Sequence, residues 1–333
     1  MKAYMKALVV AGLCVSMALG MVGCGSKPVD GSQVVATVGE KEMALGEANF
    51  LLRYQQVQTE YYYESLFGTG IYEMDLYGTG STFGDDFKAD VMAQMQEYYV
   101  AEAKAADYGV ALTDEENAAI TDAAAAFLAA NEAETKEQMT ADQTTVERVL
   151  TLMTIRSKVV EAVKAEADVT VTDEEAAQRG FSYITVSKGS GETALTEEEV
   201  QANKDKLAAV AESVAAGNTI EGAAVEQGMT AYTGSYGEGT DAYYAAELIA
   251  ALDAVKEGEA TAIVETETEL YLAQVTAEVD EDATASRKET LIASAQAEYY
   301  NSLLETWVAE YPLTVNEDVW AQIVFDRSYD PAS

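Results

Sequence analysis

The chain has 333 residues, enough for two domains, and carries 58 acidic against 20 basic side chains, a formal charge of −38, with no histidine. A surface so acidic repels phosphate backbones and argues against nucleic acid as a partner. The missing imidazole removes the usual general base near neutral pH and the commonest metal ligand, while a hydrophobic share of 49% argues for a folded chain.

Lys2 and Lys6 precede an apolar run, Ala7 to Met21, which is too short and wrongly flanked for a good spanning helix. It ends in Met21-Val22-Gly23-Cys24. This resembles a bacterial lipobox, with Met21 where leucine is more usual. The resemblance implies cleavage before Cys24 and a lipid on its sulfur, which would tie the protein to the outer side of the cell membrane. The alternative is an ordinary secretory signal with a chance cysteine. Leu13 is too large for a cleavage position before Cys14. After cleavage Cys24 is the last thiol, so no disulfide forms and the core alone must hold the fold. Residues 24–33 are polar and read as a tether.

Val34 to Val38 reads as a short strand with Gly39 as its turn, and a helix follows from about Gly46, with Phe50, Leu51, Tyr54, Val57 and Tyr61 on one face. Residues 61–86 read as turns: a Tyr61-Tyr62-Tyr63 run, then FGTG and YGTG. Their aromatic rings either pack the segment onto its own domain or hold an unfolded client. Asp86 is the expected cap of the next helix, and Tyr108-Gly109 its end. Thr113 to Glu116 forms a capping box, and a long helix runs from about Asp142 to Ala167. Two more boxes, Thr172 to Glu175 and Thr196 to Glu199, open helices in the second half. From Phe181 to about Val279 the expected order is strand, two helices, strand, helix, two strands. In this order Met229 to Tyr232 is extended, 233–241 is a bend, and Ala262–Glu265 pairs with Glu269–Thr276. A helix from about Ser286 to Ala309 carries Ile292, Ala295, Tyr299, Leu303 and Trp307 on one side. A lone amphipathic helix has nothing to bury itself against, so it should return to the N-terminal helices.

The class is therefore α+β. Residues 1–23 are the leader, 24–33 the tether, 34–171 a helical module, 172–279 an inserted α+β domain, and 280–333 a helix and tail that complete the helical module.

Four segments of the insert, FSYITVS, AGNTIEGAAVEQG, AELIAALDAVKEGEA and ELYLAQV, resemble in order and spacing those of parvulin-type peptidyl-prolyl isomerases. The flanks VVATVGEKEMALGEANF and VTVTDEE resemble the matching parts of PrsA-like and SurA-like foldases. The resemblance implies a foldase that binds unfolded secreted polypeptides outside the cytoplasm, with a SurA N-terminal-like helical module and a parvulin-like insert. The two histidines of the parvulin pocket would fall on Tyr183 and Tyr271, and its methionine and phenylalanine near Tyr244 and Leu248. A phenol with a reference pKa of about 10 is a poor proton shuttle near pH 7. Rotation about an amide breaks no bond, though its barrier is roughly 18–20 kcal/mol, so removing water and holding the proline ring can still accelerate it. Weak or lost isomerase activity is the expectation, and no catalytic residue is assigned. Equally, Tyr183 and Tyr271 are ordinary core residues of adjacent strands. An active isomerase and a solute-binding lipoprotein are the alternative functions. Metal and cofactor sites are not expected: the calcium-loop, zinc and phosphate-loop patterns all lack essential members.

Overall fold

The computed structural model describes residues 19–22, 26–67 and 70–331; Cys24 and most of the apolar leader lie outside them. The chain forms two compact units. One is Asp168–Gln296; the other is built from the residues up to Ala167 together with those from Ala297 onward.

The composite unit begins with β1 (Leu19–Val22), β2 (Val34–Val38) and β3 (Lys41–Ala44). β2 and β3 make an antiparallel hairpin around Gly39, whose φ of 58° suits a residue without Cβ. β3 is not evident in the sequence: KEMA buries only Met43, too little pattern to separate a strand from a helix approach. Between these strands, residues expected to be a loose tether are held. Ser26 donates through its N–H and its Oγ to Asp326, at 2.5 and 2.6 Å, and Val29 packs on the core.

Helix α1 (Leu45–Phe67) buries Leu45, Ala48, Leu51, Leu52 and Val57. It runs on through Tyr61–Tyr63, where turns were expected; three tyrosines contain no breaker, and the glycines come only afterwards. Helix α2 (Phe83–Lys104) starts three residues before the expected cap, because Thr82, not Asp86, accepts the free N–H of Asp85. It ends through a tight turn at left-handed Gly109. Helix α3 (Asp114–Ala130) opens on the Thr113–Glu116 capping box, α4 (Ala133–Gln138) is short, and α5 (Gln143–Glu166) is capped by Asp142. α5 buries Val146, Val149, Leu152, Val159 and Val163 against α2 and α3. Glu102 of α2 takes Arg148 of α5 through its two terminal guanidinium nitrogens and Lys41 of β3 at 2.9 Å.

The second unit opens with the one-turn α6 (Asp173–Ala176). Then follow β4 (Arg179–Ser187), α7 (Glu197–Ala215), α8 (Ile220–Glu226), β5 (Tyr232–Tyr236), α9 (Ala246–Asp253), β6 (Val264–Glu265) and β7 (Glu269–Ala277). The strands form one antiparallel sheet in the order β5-β4-β7-β6. β5 lies later than expected, taking in TGSY of the segment read as a bend. Helix α10 (Glu281–Glu310) begins in this unit, five residues earlier than expected, and its second half belongs to the composite unit.

There the chain returns. Trp307 is buried in the same core as Val149 and Leu152, with its ring 5.6 Å from Tyr108 and 6.2 Å from Tyr300; Leu303 packs at the edge. β8 (Leu313–Val315) adds antiparallel to β2, giving the order β3-β2-β8. The turn α11 (Glu317–Trp320) buries Trp320, and β9 (Ser328–Pro331) pairs with β1.

Burial pushes the Glu102 carboxyl up, but the bonds and charges of Arg148 and Lys41 outweigh it and hold the pKa below the ordinary value. A carboxylate depressed in the folded state stabilises the fold above its unfolded pKa, about 4.3, and that contribution is lost as pH falls through the lower folded value. Urea midpoints measured by circular dichroism should therefore fall less steeply below about pH 5 in Glu102→Gln than in the parent, although the variant is weaker at neutral pH.

Candidate functional site

Alternation along β4 and β7 divides the second unit's core in two. Ile184, Leu270 and Leu272 face α7 and α8, packing on Leu207, Val210 and Ile220. Phe181, Ala273 and Val275 face the other way, onto Leu248 and Leu252 of α9. Tyr183 and Tyr271 lie on this second face, partly buried. Tyr183 is opposite Ala273 and Tyr271 opposite Thr185, so the two phenols are diagonal neighbours across the β4–β7 pair.

The surroundings are aromatic. Tyr244, at the mouth of α9, stands edge-on to Phe181 at 5.0 Å and to Tyr183 at 6.2 Å. Tyr232 of β5 is the direct cross-strand partner of Tyr183, with ring centroids 5.8 Å apart, and is half exposed. Tyr236 closes the cluster against Phe181 at 5.7 Å and donates to Asp253 at 2.9 Å. Gly234 lets the rings come this close. A Cβ there would lie 2.5 Å from the Tyr244 hydroxyl and 2.9 Å from the Phe181 ring. Its place in β5 is therefore a packing requirement, and a glycine in a strand often marks such a close approach.

Of the residues expected at a pocket, Tyr183, Tyr244 and Tyr271 come together on this face. Leu248 does not line it: it is fully buried beneath and belongs to the core. Tyr232 was missed, as was Phe181. The available signal was Tyr232-Thr-Gly-Ser-Tyr236, an aromatic at each end of five residues, which reads as a bend until Gly234 is seen as a seat for rings.

Burial pushes the Tyr271 phenol up to about 12, reinforced by its bond to Glu269. Burial also raises Tyr183, helped by the neighbouring Tyr244, Tyr232 and Glu269. Glu269 moves the other way, held down by hydrogen bonds from Thr185, whose Oγ1 donates to it at 2.5 Å, and from Tyr271. The face thus offers neutral phenols beside one fixed carboxylate. It can stack on a ring and donate a hydrogen bond to a carbonyl, and it has no group that exchanges protons near neutrality.

Among the described residues, no cluster of three or more aspartate, glutamate, cysteine or histidine side chains is placed to hold a metal ion. No helix among them is long and apolar enough to cross a membrane.

No family model matches the chain, and no curated protein does. Solved structures do. One belongs to a pair of SurA-like chaperones of Campylobacter jejuni, at 8% identity, with 85% of this chain and 98% of that one covered and a TM-score of 0.30. The foldase protein PrsA of Streptococcus pneumoniae matches at 16% identity over 75% of this chain and 96% of its own, with a TM-score of 0.33. The peptidylprolyl isomerase PrsA of Bacillus cereus matches at 12% identity over 88% and 99%, with a TM-score of 0.30. At such scores the superpositions are partial, and the chain's own residues and geometry must carry its function.

Overpacking a filled site costs about 1–3 kcal/mol. Gly234→Ala should destabilise the second unit by that order and reduce the near-ultraviolet dichroism of its ring cluster, while Gly222→Ala, on the exposed side of α8 with only Thr219 near, should leave the signal unchanged. Equal spectra for both variants would mean that Gly234 has no such role.

Proposed function

We propose that this chain is an extracytoplasmic foldase. On this reading it is anchored by a lipid on Cys24, it holds unfolded secreted polypeptides, and its inserted domain has weak or lost prolyl isomerase activity. The observation that carries the reading is the second unit's antiparallel sheet, order β5-β4-β7-β6, with α9 over an aromatic face, lying in sequence between the two chain segments that build the composite unit. That order of elements is the parvulin-like one, and the flank–insert–flank arrangement is the foldase one.

The chemistry agrees with holding rather than turnover. Tyr183, Tyr232, Tyr244 and Tyr271 give an adaptable surface of rings with polar tips, suited to exposed side chains of an unfolded segment. Both phenols at the parvulin histidine positions stay neutral at physiological pH, so a proton relay has no carrier. The net acidic surface keeps the chain soluble and away from anionic polymers. Cleavage before Cys24 would remove β1 and its pairing with β9, but the chain stays held just after the anchor, where Ser26 is bonded to Asp326, Gln138 and Arg327. Two residues from Cys24 to Ser26 span at most about 7 Å, which would seat the composite unit close to the lipid surface. The two units differ from each other, one helical with a three-stranded sheet and one with a four-stranded antiparallel sheet. That speaks against a solute-binding protein, which needs two similar lobes.

In a light-scattering assay with reduced lysozyme as client, stoichiometric protein should suppress aggregation. In a protease-coupled assay on Xaa-Pro peptides, the rate should stay close to background. No suppression removes the holding role. A clear isomerase rate that falls in Tyr271→Ala would instead make the chain an enzyme.

A further inference from the structure

In the composite unit the last described residues lie along one face of α1, whose side chains hold the main chain of Val324, Arg327 and Tyr329. Ser328–Pro331 also pair with β1 (Leu19–Val22), a strand that cleavage before Cys24 would remove, leaving α1 as the tail's holder. Arg53, Gln56 and Glu60 stand three and four positions apart, hence on one face, and all three are buried. Arg53 Nη1 donates to Gln56 Oε1 at 2.7 Å, and Gln56 Nε2 donates to Glu60 Oε1 at 2.7 Å, which fixes them as a ladder. Each rung also meets the tail. Arg53 Nη2 donates to the carbonyl of Val324 at 2.8 Å and Gln56 Nε2 to that of Arg327 at 2.9 Å, while Glu60 Oε2 accepts from the N–H of Tyr329 at 2.7 Å. Lys88 of α2 continues the pattern, donating to the carbonyls of Trp320 and Ile323 at 2.9 Å each. The tail's side chains alternate as in an extended peptide laid on a surface: Ile323 and Tyr329 are buried and Phe325 half-buried, with Val324 and Asp326 exposed between them.

Buried polar and charged side chains are costly unless satisfied, and the tail meets one polar atom of each, though Arg53 Nε has no hydrogen-bond partner among the described residues. What the ladder reads, carbonyl oxygens and an N–H, is common to every polypeptide, so the same face can hold another sequence. The tail's seat is also imperfect. Tyr72, whose ring stacks on Phe325 at 4.1 Å, and Tyr329 both bury a hydroxyl that has no hydrogen-bond partner among the described residues. Unmet polar groups of this kind weaken an occupant's hold.

We propose that this face of α1 is a binding site for extended polypeptide main chain, filled at rest by the chain's own Val324–Tyr329, and that an unfolded client displaces this tail. The proposal rests on the foldase reading and names where in the composite unit the client is held. The preferred occupant is an unfolded segment with an aromatic or large apolar side chain to fill the Tyr329 seat. The tail acts as a plug that sets the threshold for binding.

The test compares the full chain with its Tyr329→Ala and Tyr329→Ala/Gln56→Ala variants, using reduced, carboxymethylated α-lactalbumin as a permanently unfolded probe. Tyr329→Ala should bind the probe at least about tenfold tighter, because the plug is loosened, and adding Gln56→Ala should cancel the gain. A folded Tyr329→Ala that binds no better than the parent overturns the proposal. Should that variant fail to fold, hydrogen exchange in the parent decides: the Tyr329 amide should exchange faster when probe is bound, and unchanged protection at saturation overturns the proposal. Probe binding by the parent with an undisturbed tail sinks this site and leaves the foldase reading intact. No probe binding by any of the proteins removes both.

Discussion

The structure depends on one pairing between opposite ends of the chain. β8 adds to β2 through Ala36–Val315, Thr37–Thr314 and Val38–Leu313, and the ladder is extended by Gly39 N–H to the Pro312 carbonyl and Asn316 N–H to that of Val35. Together with Trp307, Tyr300 and Trp320, which enter the core that α1, α2 and α5 begin, this closes the composite unit. Everything between must then leave that unit and re-enter it, so the second unit is an insert by construction. A closure so distant in sequence is slow to find, because loop entropy must be overcome before the contact forms. The second unit's central pairing, β4 with β7, closes a shorter loop, Ser187 with Glu269 through Gly180 with Ala277, so less loop entropy stands in its way.

Charge is handled locally in a chain with so few cations. Several of those cations hold structure. Arg179 is one: its guanidinium donates to the carbonyls of Leu252 and Val255 at the C-terminal end of α9 and grips Glu278. Cations favour that end of a helix, and a forked donor can serve several acceptors at once. Arg156 likewise joins Glu97 at 2.7 Å, and Tyr300 donates to the same carboxylate at 2.7 Å, tying α2, α5 and α10. Exposed pairs of this kind contribute little singly, but a part-buried carboxylate with two partners is costly to break.

Much of this was legible because local chemistry and global fold agree. The three Thr-x-x-Glu boxes at Thr113, Thr172 and Thr196 start helices where expected, since each side chain satisfies a free N–H. Apolar stripes on the long helices, and the alternation in FSYITVS and ELYLAQVT, located the core of both units. Failures came where tertiary packing overrides local preference. TGSY reads as a turn until aromatic rings need a Cβ-free strand at Gly234. KEMA is too short to declare itself beside β2. Of the site, the tyrosine triad of Tyr183, Tyr244 and Tyr271 was within reach of the resemblance, but Leu248 proved to lie beneath the face. Tyr232 needed the strand register to be found. Nothing in Arg53-x-x-Gln56-x-x-x-Glu60 marks it as a buried ladder, because polar residues at helical spacing ordinarily mean a solvated face.

On the proposed reading, the two units serve one end by different means. One presents rings with neutral phenolic tips; the other presents fixed polar groups spaced for a main chain. A protein with this equipment should distinguish a polypeptide's folding state rather than its sequence. Sedimentation velocity with α-lactalbumin in two forms, native and reduced with its thiols blocked, tests that directly. The account predicts co-sedimentation with the unfolded form and none with the native one. Equal association with both forms, or with neither, would contradict it.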